Sequence, residues 1–395
     1  MSSRSEDLAD LGLLSPVWVG TRAERLTSDQ AVAEAMVAFE EALLAALSRH
    51  GLAPGVRLAE HDLDVRALAE RAVEPGNPTL AVVGLLRGAA SLREVRDDAP
   101  DGWVHHGSTS QDTVDSALMR VATTVLGELE GHLVELAEDL ARLADRERAT
   151  PCVARTLTQQ AMPTSLGFRA ATWLAGVHDA LGAVRACRPL PVSLGGPVGT
   201  AAAYGALGPD VVASVAAALG LGVPVMSWHT RRTPLLGLAA ALASVGQACG
   251  RLCADLLLMA QTEVGEASDG SGGASSAMAH KANPTRSVLV CAAVQQLPPL
   301  LASVAASGAA ASERPPGAWH AEWQPLRTML RLAGAAAERT ADVTAHLSFD
   351  REAMRRNLDL LVSAVGEDAG WVDAQTEHVG VWVDRVLARH AEVVG

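Results

Sequence analysis

An all-α protein is what this chain of 395 residues predicts, on three observations. Alanine and leucine dominate while aromatics make up 3%, and β-branched residues cluster sparsely, so helix propensity outweighs sheet propensity. Apolar residues recur at three- and four-residue steps, the period of a helix face. Three long alanine- and leucine-rich stretches, Asp112 to Arg148, Leu235 to Thr262 and Pro284 to Ala311, dominate the chain after Trp103 and read as helices.

Taken in order, Ser28 to His50 carries Val32, Met36, Phe39, Leu43, Leu44 and Leu47 on one helical face, and Gly51 closes it. Helical segments follow near Leu63 to Val73 and Leu80 to Arg96, separated by the breaker run Glu74-Pro75-Gly76-Asn77-Pro78. The chain changes character after Trp103, which gives an N-terminal helical domain over 1–104, a central long-helix domain over 105–345 and a short C-terminal helical domain over 346–395. A fourth helical segment of the centre, Ala161 to Arg185, precedes the connection Ser193-Leu194-Gly195-Gly196-Pro197-Val198-Gly199-Thr200. Pro298-Pro299 is expected to kink the third long stretch. A helix of about 28 residues is on the order of 42 Å long. Helices that long and apolar on more than one side need partners on more than one side. The bundle is therefore expected to be completed by homo-oligomerisation.

A formal charge of -13 without a basic stripe argues against nucleic acid or an anionic membrane as partner. Small anionic substrates remain open, since a few local cations can hold them. Cys152, Cys187, Cys249, Cys253 and Cys291 are an odd, scattered set without zinc-like pairing, and Cys249 and Cys253 sit four apart among apolar residues as core cysteines do. No metal and no cofactor is expected. The N-terminal residues lack a signal-peptide pattern, and the apolar windows are interrupted by polar residues as in buried helices. A cytoplasmic enzyme is the expectation.

Chemistry concentrates in Gly272-Gly273-Ala274-Ser275-Ser276-Ala277-Met278-Ala279-His280-Lys281-Ala282-Asn283-Pro284. Glycine carries a high entropic cost, so a run of small residues marks a loop that moves or approaches a ligand closely. Asn283-Pro284 reads as an N-cap followed by proline at the first helical position, which sets the loop against the positive end of a helix. A serine hydroxyl that must become an alkoxide, beside Lys281 and a helix start, suits proton abstraction from carbon. The same pattern also fits a surface turn with ordinary capping. His105-His106-Gly107-Ser108-Thr109-Ser110-Gln111-Asp112 joins imidazoles and hydroxyls before a helix, either to hold a carboxylate or to cap the helix through Ser110 or Asp112. Arg314, a lone arginine after an alanine-rich helix, suits a bidentate grip on a carboxylate. Trp319, His320 and Trp323 at helical spacing read as core.

Five blocks in order also resemble the fumarase/aspartase superfamily. The 272–284 loop is similar to its signature G-S-S-x-M-P-x-K-x-N-P, with Ala274 and Ala279 replacing a glycine and a proline. His105, Thr109 and Ser110 match its H-x-G-x-T-S-x-D block. Arg155-Thr156-Leu157-Thr158-Gln159-Gln160-Ala161-Met162-Pro163 resembles R-T-H-x-Q-x-A-x-P, with Leu157 where most members carry histidine. Trp228-His229-Thr230-Arg231-Arg232 and the run from Glu313 to Gln324 resemble the 3-carboxy-cis,cis-muconate cycloisomerase branch. The resemblance runs from about Thr21 to Asp350. The third domain looks trimmed between Leu361 and Gly370.

What the resemblance implies is a long-helix bundle, a homotetramer with shared active sites and a small polycarboxylate substrate. It implies Ser275 as catalytic base with Lys281 beside it. Substrate binding falls to His105, Thr109, Ser110, Gln159, Ser276, Asn283 and Arg314. The reaction implied is proton transfer at the carbon α to a carboxylate with β-elimination or addition, foremost a cycloisomerase lactonising 3-carboxy-cis,cis-muconate. Leu157, and Gln160 where the cycloisomerase branch commonly carries a second histidine, suit a leaving group that departs as a stable anion, either the carboxylate of a lactone or nitrite from a nitrosuccinate-type substrate, and elimination from a substituted succinate is the first alternative. Adenylosuccinate- or argininosuccinate-type cleavage fits less well. A catalytically silent paralogue is the reading from another class, opposed by the joint presence of Ser275, Lys281, Asn283 and Arg314.

Overall fold

A computed structural model describes residues 11–92, 100–274, 278 and 281–394. The all-α class holds: the described strands form four two-stranded ribbons among long helices. Helices α1 (Arg22–Leu26) and α2 (Asp29–Arg49) start at Thr21 and Ser28, whose side chains accept from backbone N–H groups of the first turn. Strand β1 (Val56–Leu58), helices α3 (Val65–Arg71) and α4 (Thr79–Ala89) and strand β2 (Ala90–Leu92) follow, β2 pairing antiparallel with β1. The helix expected to reach Arg96 stops at Ala89, because Ala90 turns extended (ψ 137) and joins the ladder to β1.

The axis of the molecule is α5 (Ser110–Arg146), about 55 Å long at 1.5 Å per residue. Leu126, Leu129, Leu133, Leu136 and Leu140 repeat at three- and four-residue steps and are essentially inaccessible. Around α5 pack α6 (Leu166–Ala186), α8 (Thr233–Met259) and α11 (Ala318–His346), with α7 (Gly208–Leu219) against α2. Where α6 starts, a Cβ on Gly167 would stand 2.4 Å from the Cα of Arg148, so only glycine allows that crossing. Cys249 and Cys253 lie in this core with free thiols, as their apolar neighbours suggested.

Two further element boundaries differ from expectation. Residues 161–165 belong to a hairpin, β3 (Pro151–Thr156) paired with β4 (Gln159–Ser165), and α6 begins only at Leu166. Its two-residue turn holds Leu157 and Thr158 at positive φ (48° and 67°), a conformation glycine or asparagine usually supplies. The third long stretch is two helices, α9 (Thr285–Val294) and α10 (Leu297–Ser307), broken at Gln295-Gln296. Pro298 and Pro299 lie in the first turn of α10, where a missing N–H costs nothing. Short ribbons join β5 (Ala267–Ser268) to β8 (Ser348–Phe349) and β6 (Gly273–Ala274) to β7 (Ala282–Asn283).

The C-terminal helices are α12 (Arg351–Val365), α13 (Ala369–Thr376) and α14 (Val379–Val394). On α14, His390 Nδ1 meets the buried His178 Nε2 at 3.1 Å. Burial first, then His390 and Arg389, push the His178 imidazole from 6.5 to about 4, with Asp179 opposing. His390 is itself lowered by burial, against Glu138. The folded state thus holds His178 neutral where the unfolded chain protonates. Stability is complete above about pH 6.5 and is lost as pH falls toward 4. Thermal melting from pH 7 to 4 is expected to show this fall, and His178→Gln to flatten it.

Candidate active site

One group of the expected residues gathers where α5 begins. Thr109 is the N-cap of α5 in extended conformation (φ -135°, ψ 161°) and Asp112, three residues on, accepts from its backbone N–H in a capping box, so the expected capping role falls to Asp112 and not to Ser110, the first helical residue. Arg314, on the loop between α10 and α11, donates from its guanidinium to Thr109 Oγ1. Thr109, Ser110, Arg314 and the first-turn N–H groups of α5 thus form a concentration of donors at the positive end of a 37-residue helix. His105, at positive φ (66°), closes the group, with Nδ1 at 2.8 Å from Glu40 Oε1 and 2.9 Å from Ser108 Oγ.

A buried polar network fixes this corner. Asp112, wholly inaccessible, accepts through Oδ2 from the backbone N of Thr109 (3.1 Å) and Gly196 (2.8 Å). Through Oδ1 it accepts from the backbone N of Gly195 at 2.8 Å and lies 2.6 Å from His229 Nε2. One turn on, Asp115 accepts from Arg232 Nη1 (2.7 Å) and Trp319 Nε1 (3.0 Å), while Arg232 also bonds Glu322. Burial pushes the Glu322 carboxyl up to about 7, against the pull of the Arg232 guanidinium. This sets α11 against α5 and hence the point where the Arg314 loop meets Thr109. Arg232→Met leaves two buried carboxylates facing each other and is expected to cost about 3–5 kcal/mol. Denaturant unfolding measures that loss.

The other group lies at the far end of the same helices. Arg155 on β3 makes a bidentate ion pair with the buried Glu266 (2.9 and 2.7 Å), whose Oε1 also accepts from Asn357 Nδ2 at 2.7 Å. Thus the root of the 272–284 loop is tied to the hairpin and to α12. Gln159 stands exposed at the start of β4, and Lys281 is exposed with its backbone N donating to Met278 O at 3.1 Å. Asn283 lies in β7, opposite Gly273, and Pro284 occupies the cap position of α9 without a side-chain cap bond. The expected Asn283 cap is therefore absent: a carboxylate from earlier in the chain, Asp269, takes the amide of Ser287 instead. Ser275 and Ser276 lie outside the described residues.

Within one chain the two groups stand apart by roughly the length of α5, about 55 Å. Thr109, Ser110, His105 and Arg314 come together, as do the roots of the hairpin and the loop, but one subunit cannot bring the first group to Lys281 or Gln159. Sequence reasoning missed Glu40, Glu266 and Asp269. Only the first left a trace, as a glutamate inside the apolar stripe between Phe39 and Leu43.

The family model that matches this chain is described as a lyase and spans residues 9–297. Nitrosuccinate lyase of Streptomyces davaonensis is 40% identical over 372 residues, covering 89% of this chain and 78% of the relative. The 3-carboxy-cis,cis-muconate cycloisomerase of Pseudomonas aeruginosa is 35% identical over 345 residues, 84% of this chain and 74% of that one. Among solved structures, the 3-carboxy-cis,cis-muconate lactonizing enzyme of Pseudomonas putida superposes with a TM-score of 0.84 at 26% identity, covering 97% of this chain and 100% of that chain.

Proposed function

Because the chain belongs to the fumarase/aspartase superfamily of lyases and cycloisomerases, we propose that it eliminates a stable anion from a substituted succinate, with nitrosuccinate as the first substrate. The observation that carries this reading is the hairpin over 151–165, which has no histidine, aspartate, glutamate, lysine or tyrosine. Its Cys152 thiol is wholly buried and pushed by burial to about 11, and Arg155 is engaged by Glu266. A hairpin without a proton donor suits a leaving group that departs as a stable anion, nitrite or a lactone's carboxylate, and not an amine. The 40% identity to a nitrosuccinate lyase supports the choice of nitrite.

In this reading Thr109, Ser110 and Arg314 hold one carboxylate, with His105 and Gln159 lining the pocket. Lys281, Asn283 and Ser276 surround the charge that develops at the other. Ser275 takes the proton from the carbon α to that carboxylate. The C–H electron pair becomes the second bond of fumarate, and the neighbouring C–N bond breaks with its pair leaving on nitrite. Asn283 and Lys281 stabilise the enediolate-like charge as it forms.

The site is assembled from several chains of a homotetramer, since opposite ends of one chain must meet. Two features support this. The 23-residue segment Thr285–Ser307 is largely apolar, yet only 22% of its most apolar part is buried within one chain. Leu157, at the hairpin tip, is 95% exposed. A second copy packed antiparallel would cover both surfaces and join the two groups. The enzyme works in the cytoplasm.

Lactonisation of 3-carboxy-cis,cis-muconate is the second reading, favoured by the full-length superposition on a lactonizing enzyme. Offering the purified protein both compounds separates them. Release of nitrite with equimolar fumarate supports elimination. Loss of diene absorbance without nitrite supports lactonisation.

A further inference from the structure

The loop that carries Lys281 and Asn283 is closed by one carboxylate. Asp269 is 2% exposed and follows β5, whose pairing with β8 fixes the backbone just before it. Just after it, Gly270 has φ +65°, and a Cβ there would stand 2.6 Å from the Cβ of His346. Asp269 therefore sits on a rigid base.

From that base its two oxygens reach opposite ends of the loop. Oδ1 accepts from the backbone N of Ser271 at 3.0 Å and also from the Ser271 hydroxyl. Oδ2 accepts from the backbone N of Ser287 at 3.0 Å and from Ser287 Oγ at 2.9 Å. Ser287 is the third residue of α9, so Asp269 acts as that helix's cap from 18 residues upstream. Ser271 Oγ is also 3.0 Å from the carbonyl of Asn283, and the β6–β7 ladder sets Gly273 opposite Asn283. Burial opposes the ionised form of Asp269, yet the four serine donors hold its carboxyl below the ordinary range.

We infer that Asp269 is a positioning residue for catalysis, setting the two ends of the loop that carries Lys281 and Asn283 at a fixed distance. The inference rests on the reading of that loop as the catalytic element. Asp269 touches no substrate. It acts through the loop ends, where a displacement of about 1 Å costs on the order of 10²-fold in rate.

Asp269→Asn is the discriminating variant. Its single amide oxygen can take one serine's donors, which turns the amide nitrogen toward the backbone N–H of the other, donor against donor. Asp269→Glu keeps both oxygens one methylene further out. For Asp269→Asn the expected result is a kcat lowered about 30-fold or more, with KM within about 3-fold and the melting temperature nearly unchanged. Asp269→Glu should recover part of that loss. Backbone amide exchange read on peptides spanning 268–274 and 282–290 should speed up in Asp269→Asn while peptides of α5 and α8 do not change.

Unchanged exchange in those peptides overturns the inference whatever the activity, as does an unchanged kcat beside an inactive Ser275→Ala. Should Ser275→Ala keep full turnover while amide protection in peptides 268–274 and 282–290 is lost in Asp269→Asn, the assignment of Ser275 fails and the anchoring by Asp269 stands. If Asp269→Asn does not fold, the double variant Ser271→Ala/Ser287→Ala replaces it. That variant removes two donors without stranding a backbone N–H, and is expected to lose about 5-fold in kcat. An unchanged kcat in it overturns the inference.

Discussion

Replacing Ser275 by alanine is expected to lower kcat by about 10²–10⁴-fold while KM changes little, because in the proposed mechanism it removes the base and not the carboxylate grip. The chemistry of the loop leads there: it ends at a helix start, Lys281 follows, and its two ends are tied together by Asp269. Steady-state kinetics on nitrosuccinate, read as nitrite release, measure the effect. An exchange experiment isolates it further. The parent should wash deuterium into fumarate's precursor in the presence of excess nitrite, and Ser275→Ala should not.

The second large effect is expected at Arg314. Its guanidinium reaches Thr109 Oγ1 at the positive end of α5, where no lysine is placed to replace it. Arg314→Ala is expected to reduce kcat/KM by about 10- to 100-fold, the range for one charge-assisted hydrogen bond to a carboxylate. Arg314→Lys should restore little, since an ammonium cannot reproduce a planar two-pronged contact. Thr109→Ala tests the same corner through the hydroxyl, with a smaller loss in the same direction.

Much of this was legible in the residues. The long apolar repeats gave α5 and α8 nearly to their ends, and the block from His105 to Asp112 marked the helix start that Arg314 meets. The hairpin was not legible, because its turn is made by Leu157 and Thr158 in a conformation that glycine or asparagine usually announces. The reading therefore ran α6 back to Ala161. The cap of α9 was misread for a different reason. Asn283-Pro284 has the local signature, but tertiary structure supplies Asp269, whose partner Ser287 is too distant in sequence for any local pattern to find. Glu266 escaped likewise, since its partners Arg155 and Asn357 lie on other elements. Motifs identify what touches substrate; the carboxylates that hold the motifs in place become visible only once the chain is folded.

The separation of the two groups along α5 sets the test: mixing two impaired variants probes it most directly. Ser275→Ala spoils the loop end and Arg314→Ala the helix-start end of every chain that carries it. If each site takes these ends from different chains, dissociating and reassembling an equal mixture should leave roughly a quarter of the sites with both ends native. Activity should then rise far above either variant alone, toward about a quarter of the parent's. A mixture that reassembles into the same oligomer yet stays as impaired as its two components would contradict a site shared between chains.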